Sequence, residues 1–225
     1  MAFADRRDAG RRLAEVLVRS GLFDEEQPAV MGPVVMGMAR GGVPVAFEVS
    51  SALDAPLDVV VVRKLGHPRQ PELGLGAIGE DGVRVTNDAL VAKLGVPEDV
   101  IDGVAAQEAI ELERRLVVCR GGRAPVEVLG RTVIVVDDGL ATGFTARAAI
   151  EVMRRRGAAR VVLAVPVGPP DAVEALRDVA DAVVCVETPK KFFGLSEWYE
   201  DFSQLSDDEV ARFLVDRPVG PVGAA

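Results

Sequence analysis

The sequence is poor in aromatic residues, cysteine and histidine. Its 225 residues hold eight Phe, one Trp, one Tyr, two Cys and a single His. Cys119 and Cys185 have no CxxC spacing and no histidine ligands nearby, which excludes a disulfide framework and argues against a metal or redox site. They read as small hydrophobes in a reducing compartment. A basic surplus is also absent: the net charge is −9 and the pI about 4.8. Such a chain is a poor match for nucleic acid or an anionic membrane, although a locally positive pocket remains compatible with it. No apolar run approaches the ~20 residues of a membrane span. The start carries Asp5, Arg6, Arg7 and Asp8 in place of a signal h-region. The expectation is a cytoplasmic protein with no membrane partner and no nucleic-acid partner. Neither a G-x-x-x-x-G-K-[ST] pattern nor a G-x-G-x-x-G is read, which counts against P-loop and dinucleotide folds. There is no internal repeat and no convincing interdomain linker.

What is present is the material of one well-buried α/β domain: 49% hydrophobic and 27% charged residues in a chain of sufficient length. Periodicity predicts helices over 7–19 and 43–53, a short one to residue 94 capped by Asn87, and a longer one begun by Pro97. Further helices are predicted over 146–156 and 170–179. Apolar runs predict strands over 34–38, 58–62, 133–136, 161–165 and 182–186. Residues 66–82, with five Gly and two Pro, read as a long mobile loop containing a β-ribbon, 74–78 against 83–85. Ser206-Asp207-Asp208-Glu209 has the spacing of a capping box and opens a last helix to Val215. The Pro/Gly-rich tail 217–225 reads as flexible. Strands alternating with helices imply a single, open, mostly parallel sheet covered on both faces.

The most informative stretch is Val133-Ile134-Val135-Val136-Asp137-Asp138-Gly139-Leu140-Ala141-Thr142-Gly143-Phe144-Thr145. Four β-branched apolar residues read as a strand buried on both faces. It runs into two carboxylates, then into a loop of small and hydroxyl residues, then into a helix. The carboxyl end of a buried strand beside a helix N-terminus is where open α/β sheets bind ligands. Backbone N–H groups and the Thr142 and Thr145 hydroxyls suit an anion. Asp137 and Asp138 suit sugar hydroxyls or a metal. One ligand with a phosphate, a diol and a metal-bound leaving group would use every part.

The stretch resembles the signature of the type I phosphoribosyltransferases: a hydrophobic strand, two acids, two variable residues, then a small residue and Thr-Gly-x-Thr. The resemblance covers about residues 34–186. It implies a phosphoribosyltransferase-like domain over 1–216, with elaborations at 1–33 and 187–216 that would form a hood over the base. It also implies phosphoribosyl pyrophosphate and a nitrogenous base as partners, release of pyrophosphate, and Mg2+ as cofactor. In that reading Ala141, Thr142, Gly143, Phe144 and Thr145 grip the 5′-phosphate. Asp137 and Asp138 bind the ribose hydroxyls and help hold the metal indirectly, with the substrate. Ala39-Arg40-Gly41-Gly42, a second strand-to-helix turn, would hold the pyrophosphate, with Arg40 and Lys64 as the catalytic cations. Arg63 and His67, the only histidine, belong to a candidate lid; Glu72 and Glu80 carry less signal still. Phe192, Phe193 and Trp198, beside Tyr199, read either as a base pocket or as a small core docking the C-terminal arm.

One departure bears on the base. Hypoxanthine–guanine members carry an Asp where this chain has Ala141, so it looks more like the adenine-type loop. Phe144 replaces a frequent Gly. Alternatives at this level are a regulatory protein that binds phosphoribosyl pyrophosphate without turnover, and a different α/β nucleotide enzyme. A homodimer is a further expectation.

Overall fold

Alternate residues of the Val/Ile runs face opposite ways, and both directions are buried. In the computed structural model, which describes residues 2–23 and 32–216, Val34 and Met36 of β1 (Val34–Met38) join one core cluster and Val35 the other. Val133 and Val135 of β6 (Thr132–Val136) divide from Ile134 and Val136 in the same way. Such strands must lie between two helical layers, because each buried Val or Ile contributes roughly 1.5–3 kcal/mol only where it is covered. With β2 (Leu57–Val60), β7 (Arg160–Val167) and β8 (Ala182–Glu187) they form one parallel sheet of order β2-β1-β6-β7-β8.

On one face pack α5 (Phe144–Arg155) and α6 (Pro170–Arg177). The other carries α1 (Arg6–Arg19), α2 (Gly42–Leu53), α4 (Glu98–Arg120) and α7 (Asp207–Asp216). The chain leaves β1 for β2 on one side, whereas β6 leads to β7 and β8 on the other. The switch point therefore lies between β1 and β6, where Gly37 stands opposite Val136. The α/β class and the mostly parallel sheet agree with the sequence reading. Among the described residues no helix is long and apolar enough to cross a membrane.

Three local readings need correction. The apolar run 58–62 is not one strand: Val61 N–H donates to Glu80 Oε1 at 2.8 Å, which interrupts the ladder, and β3 (Val62–His67) enters a second sheet. Within 66–82 the expected ribbon is present, with 76–78 paired to 84–86, but most of the presumed loop beside it is strand as well. β4 (Gln70–Gly79) pairs antiparallel with β3 and with β5 (Arg84–Thr86). The glycines serve close approach, not looseness: a Cβ on Gly76 would stand 2.1 Å from the Val85 carbonyl oxygen, and one on Gly79 2.6 Å from Val152 Cγ2. Finally, the chain does contain one G-x-G-x-x-G spacing, Gly74 to Gly79, but it lies inside β4 and opens no helix, so it offers no dinucleotide loop.

Caps follow the sequence closely. Asn87 accepts from Leu90 N–H ahead of α3 (Asp88–Leu94), and Ser206 and Glu209 form a reciprocal capping box at α7. The two terminal segments meet: Phe3 pairs with Tyr199 as a short parallel bridge, and both bury against Val167. The tail 217–225 and residues 24–31 lie outside the described residues.

Candidate active site

At the switch point the backbone of one loop presses on the carboxylates of the other. A Cβ on Gly41 would fall 1.9 Å from Asp138 Oδ2, and one on Gly42 2.5 Å from the Val136 carbonyl oxygen and 2.8 Å from Asp137 Cα. Any larger residue would push the Ala39-Arg40-Gly41-Gly42 turn off the acidic pair. The Ala39–Arg40 peptide is cis. Next in the chain, Gly143 adopts a left-handed conformation (φ 78°) as N-cap of α5, which favours glycine there. No side chain caps α5 and no acid lies in its first turn, so its leading N–H groups are not paired with a capping carboxylate. Thr142 is exposed, and Phe144 and Thr145 are half-buried. Thr142, Gly143 and Phe144 border a cavity of about 290 Å3 that is also lined by Asn87 and Arg147.

The two acids are unequal. Asp138 is buried and its Oδ2 accepts from Arg6 Nε at 2.8 Å. Arg6 is itself fixed by donating to the Ser203 carbonyl and by lying 4.0 Å from the Phe202 ring centre. Tyr199 Oη donates to the Asp138 carbonyl oxygen at 2.5 Å, and burial together with the Asp138 charge keeps that phenol protonated. Asp137, half-buried, accepts only the Asp138 N–H at 2.9 Å and has no ion pair among the described residues. Burial first, and the Asp138 charge second, push its carboxyl well above the ordinary range. Asp138 is raised by burial too, against the lowering effect of Arg6. A desolvated carboxylate pair short of positive charge suits a hard cation or hydroxyl donors.

The remaining candidates lie in three places. Arg40 Nη1 is 4.0 Å from Asp207 Oδ1 on α7, and Arg63 Nε donates to Glu108 of α4 at 2.7 Å. Arg40 shares Asp207 as a neighbour with Arg115 of α4. Lys64 occupies the next position of β3, hence the opposite face, and its Nζ donates to the Glu72 carbonyl at 2.5 Å. His67 sits at the hairpin tip, accepting from Arg69 N–H. Phe192 and Trp198 pack on the Phe3–Tyr199 cluster, while Phe193 is 82% exposed. Sequence reasoning passed over Arg6, Arg115, Asp207 and Arg147 as site residues, and it placed Tyr199 only in the C-terminal aromatic cluster, where the structure has it. Arg6, Arg115 and Arg147 look like ordinary polar-face residues of amphipathic helices, and Asp207 like part of a cap. No local pattern marks them.

The described residues hold no group of three or more metal-ligating side chains.

Similarity to known proteins covers nearly the whole chain. The phosphoribosyl transferase domain model matches residues 4–201. Two chains of Mycobacterium tuberculosis, strains CDC 1551 / Oshkosh and H37Rv, are provisionally named phosphoribosyl transferases. Each is 52% identical over 212 residues, covering 94% of this chain and 46% of theirs. This chain thus spans about half the length of those relatives. A crystal structure from Thermus thermophilus superposes with a TM-score of 0.78 at 40% identity, covering 98% of this chain and 100% of that one. Over 56 residues, a uracil phosphoribosyltransferase of Lactobacillus delbrueckii subsp. bulgaricus is 43% identical, covering 25% of this chain and 27% of that one.

Proposed function

The chain belongs to the phosphoribosyl transferase family, and on that premise we propose that it transfers the 5-phosphoribosyl group of phosphoribosyl pyrophosphate to a nitrogenous base, releasing pyrophosphate. The observation that carries this reading is the under-neutralised Asp137–Asp138 pair, packed against the Gly41–Gly42 turn and leading into the uncapped N-terminus of α5. Ala141 to Thr145 receive the 5′-phosphate through backbone N–H groups and the two threonine hydroxyls. Asp137, without an ion pair among the described residues, accepts the ribose hydroxyls. Asp138, one oxygen taken by Arg6, is the more constrained partner. Asp137 and Asp138 would hold Mg2+ jointly with the ligand; when bound, the ion neutralises charge on the departing pyrophosphate. Arg40 supplies a permanent charge at the same end of the ligand. Otherwise the protein positions the groups and excludes water while the ribose gains oxocarbenium character and a base nitrogen attacks. With Ala141 in place of an Asp, residues 141–145 supply no carboxylate to deprotonate the acceptor base.

Calorimetry with phosphoribosyl pyrophosphate and magnesium tests the site. Asp137→Asn with Asp138→Asn should reduce affinity by at least about 10-fold, the scale of losing charge-assisted contacts, with the fold retained. Wild-type affinity in the folded double variant would remove the diol site from these residues. Pyrophosphate release over a panel of bases separates turnover from binding alone.

A further inference from the structure

At the first turn of α7 one carboxylate stands among three guanidinium groups. Asp207 Oδ2 accepts from Arg114 Nη2 at 2.9 Å, while Asp207 Oδ1 lies 3.2 Å from Arg115 Nε and 4.0 Å from Arg40 Nη1. The Arg115 and Asp207 side chains are only 11% and 13% exposed. Even so, Arg115 Nε and Asp207 Oδ1 are both buried without a hydrogen bond: they are close but poorly aligned. Buried polar atoms in that condition are costly and call for a better partner. Arg115 Nη2 donates to Glu111 Oε1 across a long 3.4 Å, and Glu111 is engaged chiefly by Arg114. Burial, then the charges of Arg63 and Arg40, push the Arg115 guanidinium below its ordinary value despite Asp207. The cluster is thus short of negative charge at its buried centre.

One of the three cations, Arg40, belongs to the glycine turn assigned above to pyrophosphate. We propose that Arg115 of α4 is a further pyrophosphate-binding residue and that Asp207 is its resident counter-ion, displaced when the pyrophosphate end of the ligand arrives. The proposal rests on the phosphoribosyl-pyrophosphate reading and deepens it. A diphosphate carries more charge and more oxygens than one carboxylate, and it matches the forked donors of Arg40 and Arg115. Displacement leaves α7 intact, because its capping box is made by Ser206 and Glu209, not by Asp207. Its anchors, Val210 and Leu214, lie in the core.

Calorimetric titration of inorganic pyrophosphate and of ribose 5-phosphate, each with magnesium, tests this on the full chain. Asp207→Asn should bind pyrophosphate about 5–10-fold more tightly, as expected when a competing charge is removed, with ribose 5-phosphate unchanged within about twofold. Arg115→Gln should weaken pyrophosphate about 10-fold or more and spare ribose 5-phosphate. Thermal melts identify any variant that fails to fold, and the near-isosteric Asp207→Asn keeps the test decisive if Arg115→Gln does not fold. Pyrophosphate affinity in Asp207→Asn equal to or below wild type, with ribose 5-phosphate still bound, overturns this proposal alone. Wild-type protein that binds neither ligand overturns it together with the reading on which it rests.

Discussion

Among the described residues two groups of acids are buried or largely so, and the fold completes one while leaving the other open. Asp58 and Glu80 are 5% and 2% exposed. Asp58 accepts from the N–H groups of Val59 and Val126 and lies 3.4 Å from Arg120 Nε. Glu80 accepts from Val61 N–H and from Arg156, and lies 3.3 Å from Arg120 Nη2. Every carboxylate oxygen there has a partner, so the network ties β2, α4 and the second sheet together and leaves no carboxylate oxygen unpaired. At the switch point, by contrast, Asp138 has one arginine and Asp137 a single backbone donor. Burial alone does not mark a site. A buried charge left without its counter-charge does.

The contrast can be broken most forcefully at Glu80. Glu80→Ala would strand Arg120 and Arg156 and orphan Val61 N–H, and should cost about 3–5 kcal/mol in urea unfolding. A loss below about 1 kcal/mol would mean that the completed network is no more structural than the open pair. Next in size is Arg40→Ala, which should lose roughly 1.5–3 kcal/mol of affinity for phosphoribosyl pyrophosphate and little for ribose 5-phosphate. Equal losses for the two ligands would separate Arg40 from the pyrophosphate.

Asp137→Asn should move stability the other way. Because the folded carboxyl titrates above its ordinary value, the native state holds a proton that the unfolded chain has lost. Wild-type stability therefore falls as pH rises from the ordinary aspartate range through the raised folded value. The variant lacks that loss, so its melting temperature should exceed wild type near pH 8 and converge with it near about pH 4. A variant less stable at the higher pH would place Asp137 with the satisfied acids. The smallest effect is expected at Asp181. There burial is outweighed by Val161 N–H and Arg154, and the carboxyl is lowered. Asp181→Asn should lose well under about 1 kcal/mol, given its exposure. That loss should be present above the ordinary aspartate value and vanish as pH falls through the lowered one, opposite in sign to Asp137.

How much of this was readable beforehand depended on how far apart in sequence the partners lie. The parallel strands announced themselves because burial on both faces requires uninterrupted apolar runs. The Ser206–Glu209 box and the Asn87 cap were readable because caps are made within one turn. Residues 66–82 misled because glycine has two uses, and composition does not tell a mobile turn from a strand pressed against Val85 and Val152. Arg6 and Asp138 are 132 positions apart, and nothing at either end names the other.

By itself, then, the sequence determined the α/β class, the five apolar runs of the parallel sheet and the place of the acidic pair at the end of one of them. Each of these is written in neighbouring residues through periodicity and spacing. Only the tertiary structure decided which acid is neutralised, by Arg6, and which is left open. It alone set Arg40 and Arg115 around Asp207, and closed Asp58 and Glu80 into a network. Those outcomes depend on distances between elements remote in the chain, and electrostatic balance at a buried carboxylate is set by what packing brings within a few ångströms of it.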